Sequence, residues 1–307
     1  MEQEILEQPG ALFAANLSLP GAFDALPRAP YKSIVLVARG SSDNAAIYLR
    51  YLLEVFLGIP AILAAPSVAT VYGRQVQYEN ALCVAISQSG QSPDVRAIVG
   101  QMRKQGHVTL GITNSPESPL AKEAEFHVDL GVGTESSVAA TKTYTASLLA
   151  AYHLVRRLGG KLPEPILPDD DWVAFSRTAA LEAVEAVVGA DAVFALARGF
   201  SFASAQETAL KLIECALIPC KSYSTADFAH GPKAISGPDV AAVVFGEAPE
   251  VLVSTGCHVI SAPDAGTQPD APIREVIFSQ FLALQAACEK GIDPDRAPNI
   301  SKVTRTF

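Results

Sequence analysis

Short, mainly apolar runs recur along the chain, separated by segments whose apolar positions follow a helical spacing. Such runs are typical of strands buried on both faces of a sheet. They occupy Ser33–Ala38, Leu82–Ile86, Val108–Ile112, Ala192–Ala197, Val240–Phe245 and Cys257–Ser261. Helices are predicted after most of these runs, at 44–57, 95–105 and 202–218, and before the fourth run at 172–188. Strands alternating with helices predict an α/β fold of parallel sheets, each flanked by helices in a three-layer αβα arrangement.

The two halves of the chain follow the same plan. An apolar run followed by Ala-Arg-Gly occurs in each half, with the glycine at Gly40 in the first and Gly199 in the second. A helix and two further strands follow each time. A proline-rich, charged stretch separates the halves and is typical of a linker. We therefore predict two similar subdomains. The predicted boundaries are an N-terminal helical segment at 1–30, a first subdomain at 31–160, a linker at 161–171, a second subdomain at 172–298 and a tail at 299–307.

Composition narrows the class of protein. The 307 residues are 49% hydrophobic and 18% charged, with a net charge of −9, so no basic surface for nucleic acid is expected. The N-terminus lacks the features of a signal peptide, and no apolar run is long enough to cross a membrane. Five dispersed cysteines without a Cys-x-x-Cys pair fit a reducing compartment, so we expect a cytoplasmic protein.

The turn after the second apolar run is the first candidate for chemistry. Ser87–Asp94 reads Ser-Gln-Ser-Gly-Gln-Ser-Pro-Asp, in which Ser92 is a suitable N-cap and Pro93 a suitable first helical residue. A helix N-terminus surrounded by hydroxyl groups favours an anion such as phosphate. The alternative is an ordinary turn and cap. The equivalent turn of the second half, Gly246–Pro249, carries Glu247 instead, which favours a single phosphate site per chain.

Four further segments carry candidate residues, each with a plainer alternative. Gly40, Ser41 and Ser42 follow the first strand, where ligands of open α/β sheets bind, but they also suit a capped turn. The hydroxyl-rich segment 133–143 suits either a ligand loop or a helix start. The helical spacing of Glu207, Lys211 and Glu214 puts them on one helix face. They could be a solvated ion pair or a group that transfers protons. His230, between turn residues, is either a surface residue or a proton carrier.

Taken together, these motifs resemble the duplicated sugar isomerase (SIS) family, in particular the isomerase half of glucosamine-6-phosphate synthase and stand-alone glucosamine-6-phosphate deaminases. The resemblance runs from about residue 31 to 306. The matching motifs, in the family's order, are Gly40–Ser42, Ser87–Asp94, Val138–Lys142, Glu207–Glu214, His230–Pro232 and Asn299–Lys302.

The resemblance implies roles for individual residues. The sugar phosphate would be held by Ser87, Gln88, Ser89 and Ser92, and sugar hydroxyls by Gly40, Ser41, Ser42 and the backbone around Val138 and Ala140. Glu214 would move a proton between C1 and C2, Lys211 would stabilise the developing oxyanion, and Lys302 would close over the open-chain sugar. His230 would open the ring from a neighbouring subunit, so a homodimer is expected. Neither a metal nor an organic cofactor is implied.

Some positions depart from the family pattern, namely Arg39, Gln91, Ala140 and Ala229, so the sugar contacts are less determined than the phosphate turn. Glu2 also stands where the synthases carry a nucleophilic cysteine, and we expect a chain without a glutaminase domain. These features favour deamination and isomerisation of an amino-sugar phosphate such as glucosamine 6-phosphate. The alternatives are an isomerase, aminotransferase or deglycase acting on another amino-sugar or glycated amine phosphate, or a non-catalytic sugar-phosphate-binding regulator.

Overall fold

The computed structural model describes residues 1–296 and 299–302. These residues group into two compact units. The first unit comprises Gly10–Thr134 and Lys142–Pro165, and the second comprises Met1–Pro9, Glu135–Thr141 and the described part of Ile166–Lys302. Each unit contains one parallel sheet.

The first unit is built on five parallel strands in the order β2-β1-β3-β4-β5. Their bounds are β1 Ser33–Val37, β2 Ala61–Leu63, β3 Ala81–Ile86, β4 Val108–Thr113 and β5 Phe126–Asp129. Every residue of β3 is buried, as expected for a central strand covered on both faces. The helices are α2 Gln8–Ala22, α3 Ser41–Leu57, α4 Ser67–Thr70, α5 Pro93–Lys104, α6 Pro119–Glu123 and α7 Lys142–Arg157.

The second unit is built on four parallel strands in the order β7-β6-β8-β9. Their bounds are β6 Ala192–Ala197, β7 Cys220–Ser224, β8 Val240–Val244 and β9 His258–Ser261. The helices are α1 Glu2–Leu6, α8 Asp170–Gly189, α9 Phe202–Ala216, α10 Thr225–Ala229, α11 Glu250–Ser254 and α12 Ala271–Glu289, with 3₁₀ turns at Gly199–Ser201 and Pro232–Ile235.

Alternate residues of β6 show that helices cover both faces of this sheet. Val193 and Ala195 belong to a core formed with α8, α9 and α12. Phe194 and Leu196 belong to a second core, on the opposite face, with Phe228 of α10 and Leu252 of α11. Side chains of a strand point to alternate faces, so the two cores lie on either side of the sheet. The predicted three-layer α/β class is confirmed.

The two compact units differ in extent from the segments expected from sequence, whose boundaries stay a prediction. Residues before Gly10 and the segment Glu135–Thr141 group with the second sheet, although both were assigned outside the second subdomain. Met1, Ile5 and Ala139 belong to the core that lies between this sheet and α8, α9 and α12. The Glu4 carboxylate of α1 also accepts hydrogen bonds from the backbone N–H groups of Ser136 and Ser137. The pattern of apolar runs contains no sign of this exchange.

The thiols are distributed unevenly between core and surface. Cys83, Cys215, Cys220 and Cys257 are buried, whereas Cys288 near the end of α12 is exposed. Burial raises the pKa of the Cys83 and Cys220 thiols to about 12. Four of the five thiols are therefore kept neutral and inaccessible. Among the described residues, no helix is long and apolar enough to cross a membrane.

Candidate functional site

Two turns of the first unit lie side by side at one edge of its sheet. β1 and β3 are parallel neighbours, with Val37 opposite Ala85, so the turns that follow them leave from the same carboxyl edge. The first turn carries Gly40, which has φ = +57° and precedes Ser41 and Ser42 in the first turn of α3. The second is the serine turn, Ser87–Ser92, which leads into α5. Ligands of open α/β sheets bind at this position.

The serine turn is shaped by Gly90. This glycine has φ = +62°, and a Cβ atom added to it would lie 2.2 Å from Ser118 Oγ. Its carbonyl oxygen accepts a hydrogen bond from the Leu120 N–H group at 3.1 Å, which attaches the turn to α6. Ser92 and Pro93 occupy the N-cap and first helical positions, as predicted. Ser87 is buried, while Gln88, Ser89 and Ser92 remain partly exposed and available to a ligand.

Arg39, one of the departures from the family pattern, connects the two turns. Its guanidinium donates a hydrogen bond to Asp94 Oδ2 at 2.9 Å. The Asp94 side chain is only 7% exposed, whereas that of Arg39 is 44% exposed. The ion pair thus joins the end of β1 to the first turn of α5.

A buried lysine lies between two carboxylates on α9 of the second unit. The side chains of Lys211 and Glu207 are fully buried, and Lys211 Nζ lies 3.4 Å from Glu207 Oε1. Lys211 also donates a hydrogen bond to Glu214 Oε2, and the Glu214 side chain is 24% exposed. This geometry excludes the solvated-pair interpretation of the three charges. It leaves Glu214 as the member of the group that a ligand can reach.

The electrostatics of this cluster keep Lys211 charged. Burial by itself would lower the pKa of the Lys211 ammonium, but the carboxylates of Glu207 and Glu214 outweigh that effect and raise it above its usual value. A permanent ammonium beside a partly exposed carboxylate is suited to stabilise an oxyanion next to a group that transfers a proton.

The segment that carries Val138 and Ala140 is held by two acidic side chains. Glu135 is buried and accepts hydrogen bonds from the Thr141 N–H group at 2.8 Å and the Thr141 hydroxyl at 3.0 Å. Glu4 accepts from the N–H groups of Ser136 and Ser137. Val138 and Ala140 themselves are partly exposed. The backbone between Glu135 and Thr141 is therefore fixed from two sides.

Lys302 and His230 complete the predicted set in the second unit. Lys302 Nζ donates hydrogen bonds to Glu135 Oε2 at 2.9 Å and to the Ser137 carbonyl oxygen. His230 follows α10 and is exposed. The tail predicted at 299–307 is described only as far as Lys302, and the remainder of that prediction lies outside the described residues.

Sequence reasoning missed Glu135 and Glu4 and did not assign Glu207 a role. Glu135 lies within the hydroxyl-rich segment that drew attention, so an acid among small hydroxyl residues was the available signal. Glu4 lies more than 130 positions away from its partners, and no local pattern connects them. Within the described residues no group of three or more His, Cys, Asp or Glu side chains is arranged to hold a metal ion.

Comparison with known proteins places these features in context. The SIS domain family matches residues 29–157. Glutamine–fructose-6-phosphate aminotransferase (isomerizing) from Symbiobacterium thermophilum is 31% identical and aligns with 98% of this chain and 58% of its own length.

Two solved structures are similar along almost the whole chain. A candidate phosphosugar isomerase from Silicibacter pomeroyi is 30% identical, with a TM-score of 0.80 over 95% of this chain and 98% of that protein. Glucosamine-6-phosphate deaminase from Thermotoga maritima has a TM-score of 0.79 at 22% identity, covering 98% of this chain and 100% of that one, which is a likeness of fold. By contrast, this chain spans only 58%, 51% and 56% of the length of three curated relatives it matches.

Proposed function

Because the chain belongs to the SIS domain family, we propose that it is a phosphosugar isomerase and deaminase, which converts glucosamine 6-phosphate and water into fructose 6-phosphate and ammonia. One observation carries this proposal: Lys211 is fully buried and donates a hydrogen bond to the partly exposed carboxylate of Glu214. Moving a proton between two sugar carbons requires a fixed carboxylate and a nearby positive charge. A protein that only binds sugar phosphates needs the serine turn but not the set of Lys211, Glu214, His230 and Lys302.

The phosphate is assigned to the serine turn. Its partly exposed hydroxyl and amide groups, on Gln88, Ser89 and Ser92, precede α5. Ser41 and Ser42 begin α3 at the same edge of the sheet and are assigned to sugar hydroxyls. Helix N-termini supply N–H groups and a favourable dipole for an anion without a basic side chain. Val138 and Ala140 are assigned to the sugar as well.

The proposed reaction starts with ring opening by His230. In the open-chain aldehyde, Glu214 removes the proton from C2, and the electron pair of that bond forms the C1–C2 double bond while the C1 oxygen takes up a proton. The ammonium of Lys211 is fully buried, so it acts on the developing charge through space and by holding Glu214 in position. Glu214 then delivers its proton to C1 while the amino group on C2 loses a proton, which gives a C2 imine and leaves the C1 hydroxyl in place. Water adds to C2 and ammonia leaves, so fructose 6-phosphate is released.

Lys302 is assigned to covering the open-chain sugar. In the structure its ammonium is held by Glu135 and the Ser137 carbonyl oxygen. Each step is acid–base chemistry on carbon and oxygen, so the proposal invokes no metal ion and no organic cofactor.

The test is an assay for ammonia and fructose 6-phosphate with glucosamine 6-phosphate as substrate. Glu214→Gln removes the group that transfers the proton and is expected to lower kcat by about 10²–10⁴-fold. Glu182→Gln, an exposed glutamate on α8, is the matched control and should leave kcat unchanged. Incorporation of deuterium at C2 from heavy water reports proton removal directly, independent of ammonia release.

The outcomes separate the proposal from its alternatives. Exchange at C2 without ammonia release would indicate an isomerase or deglycase acting on another amine or sugar phosphate. A substrate panel would then identify that substrate. Arg39, Ala140 and Ala229 are the positions that we expect to distinguish substrates. Tight binding of hexose phosphates with no exchange at C2 would indicate a regulator and would reject catalysis. An undiminished rate in Glu214→Gln would reject the assigned mechanism.

A further inference from the structure

A cavity of about 640 Å³ lies at the carboxyl edge of the second unit's sheet. It is lined by the segments that follow all four strands, from Arg198–Ser201 after β6 to Thr225 after β7, Phe245–Glu250 after β8 and Pro263–Gln268 after β9, and by Glu275 of α12. The volume falls within the range of roughly 300–1,000 Å³ that is usual for small-molecule sites. The function proposed above uses none of these residues.

The cavity occupies the position where a ligand is expected in a sheet of this topology. In the sheet order β7-β6-β8-β9, the chain leaves β6 towards β7 on one side and leaves β8 towards β9 on the other side. The connections that follow β6 and β8 therefore diverge. Ligands of open α/β sheets bind in the crevice at such a switch point. In the first unit the corresponding pair is β1 and β3, which carry Gly40–Ser42 and the serine turn. The second unit therefore has an equivalent crevice with different side chains.

A buried carboxylate with neutral hydrogen-bond donors reaches this cavity. Glu275 is 4% exposed. Its two oxygens accept hydrogen bonds from the Ser201 hydroxyl at 2.7 Å and the Ser204 hydroxyl at 2.6 Å. The two donors are hydroxyl groups, so they bring no positive charge to the carboxylate. The Glu275 side chain is thereby fixed in the wall of the cavity, where its ionised form adds negative charge.

The other charged residues of the cavity lining indicate that the ligand is positively charged. Glu247, Glu250 and Asp264 are exposed at the cavity. The basic residues near them are Arg198 of the lining and Arg274, which donates a hydrogen bond to the Ala265 carbonyl oxygen. The lining therefore carries an excess of negative charge, which repels phosphates and carboxylates and attracts a cation. This is the reverse of the serine turn.

The uncharged part of the lining indicates a ligand with hydroxyl groups. Thr225, Thr267 and Gln268 supply hydroxyl and amide groups, and Phe200 and Phe245 supply aromatic surface. We propose that the cavity of the second unit binds a small hydroxylated primary amine of hexose size that carries no phosphate. This site is additional to the one at the serine turn, because the two linings select opposite charges.

Calorimetric titration of the full chain with glucosamine and with glucose tests the proposal. Glucosamine is expected to bind, and glucose, which lacks the ammonium, at least tenfold more weakly. The double variant Glu247→Gln/Asp264→Asn should weaken glucosamine binding by about tenfold, since two exposed charges near an ammonium are removed. Glu182→Gln/Glu185→Gln removes the same charge from the exposed surface of α8 and should leave binding unchanged.

A variant of the first unit separates the two sites. Ser87→Ala/Ser89→Ala should leave glucosamine binding intact, and the rate with glucosamine 6-phosphate should be unchanged in Glu247→Gln/Asp264→Asn. The proposal is overturned if glucosamine and glucose bind equally, if neither binds, or if glucosamine binding is lost in the serine variant and kept in the acidic one. It is also overturned if glucose 6-phosphate binding depends on Glu247 and Asp264.

Discussion

Lys211 is an ammonium group with no access to water, held between Glu207 and Glu214 on one helix. An isolated buried charge costs several kcal/mol, so removing either carboxylate leaves a strongly unfavourable group in the core. The helical spacing of these residues was evident in the sequence, but their burial was not. The same spacing on a solvated helix would be worth only a few tenths of a kcal/mol.

Glu275 gives the second unit a pH-dependent stability. Burial raises the pKa of its carboxyl to about 7; Asp264 adds to this, and the hydroxyls of Ser204 and Ser201 and the charge of Arg274 oppose it. The folded state therefore holds a proton that the unfolded chain releases near its ordinary pKa of about 4.3. The free energy of unfolding is expected to fall between about pH 4 and pH 7, by on the order of 3 kcal/mol, and to lose nothing further from this group at higher pH.

The variant Glu275→Gln, which mimics the protonated acid, should remove this contribution. Urea unfolding at pH 5 and pH 8 measures it, as the stability of wild type relative to the variant should decrease at pH 8. Glu250→Gln, an exposed glutamate, is the control and should leave the pH profile unchanged. A wild type and Glu275→Gln with parallel pH profiles would contradict the interpretation.

At the scale of elements, the serine turn depends on a glycine that fits against α6. In Gly90→Ala both the positive φ of +62° and a contact of 2.2 Å with Ser118 Oγ oppose the new methyl group. We expect a loss of unfolding free energy of about 2–3 kcal/mol and weaker binding of fructose 6-phosphate, because the turn must shift.

A second glycine isolates the backbone contribution. Gly73 has φ = +60°, but no atom lies within 4 Å of an added Cβ. Gly73→Ala should therefore lose only about 1 kcal/mol and keep its affinity for fructose 6-phosphate. Equal effects of the two substitutions on stability and affinity, measured by denaturation and calorimetry, would show that packing against Ser118 does not shape the turn.

The three strands that sequence reasoning missed are all edge strands. The apolar runs predicted all the central strands, because burial on both faces demands such runs. The missed strands β2, β5 and β7 lie at sheet edges and contain exposed or polar residues, as in the Cys-Lys-Ser-Tyr-Ser sequence of β7. One neighbour and partial burial weaken the apolar run of an edge strand, although the edge strand β9 was found from the run Cys257–Ser261.

The candidate site was predictable to the extent that its residues are local. Motifs within one turn or one helix, such as the serine turn and Glu207–Glu214, could be recognised from spacing. The ion pair of Glu135 with Lys302 joins residues 167 positions apart, and only the fold brings them together. The same holds for Glu4, whose partners lie in the segment that precedes α7.

At the scale of the whole molecule, the shared active site of a homodimer remains a prediction. His230 is exposed in the single chain, which leaves it accessible to a second copy. If His230 acts in the neighbouring subunit, mixing inactive His230→Ala with inactive Glu214→Gln should restore activity. Half of the randomly mixed dimers would carry one intact site out of two, so about a quarter of the wild-type rate is expected.

The control mixes two variants of the same helix. Lys211→Met and Glu214→Gln alter the same subunit's contribution, so their mixture should stay inactive whether or not subunits exchange. Both mixtures need a subunit-exchange step, followed by the ammonia assay. Recovery in neither mixture, with exchange verified, would place His230 in the same chain's site; recovery in both would reject the assignment of Lys211 and Glu214 to one site.

Because each unit contains at least one buried cysteine, thiol labelling can report the local unfolding of each unit separately. Cys83 lies in β3 of the first unit, whereas Cys215, Cys220 and Cys257 are buried in the second. A thiol reagent modifies Cys288 at once but reaches the other four only when the surrounding structure opens. The rate at which each cysteine-containing peptide gains the mass of the label therefore measures how fast the structure around that cysteine opens in each unit. The unfolding of the two units can thus be followed separately with the cysteines that the sequence already contains.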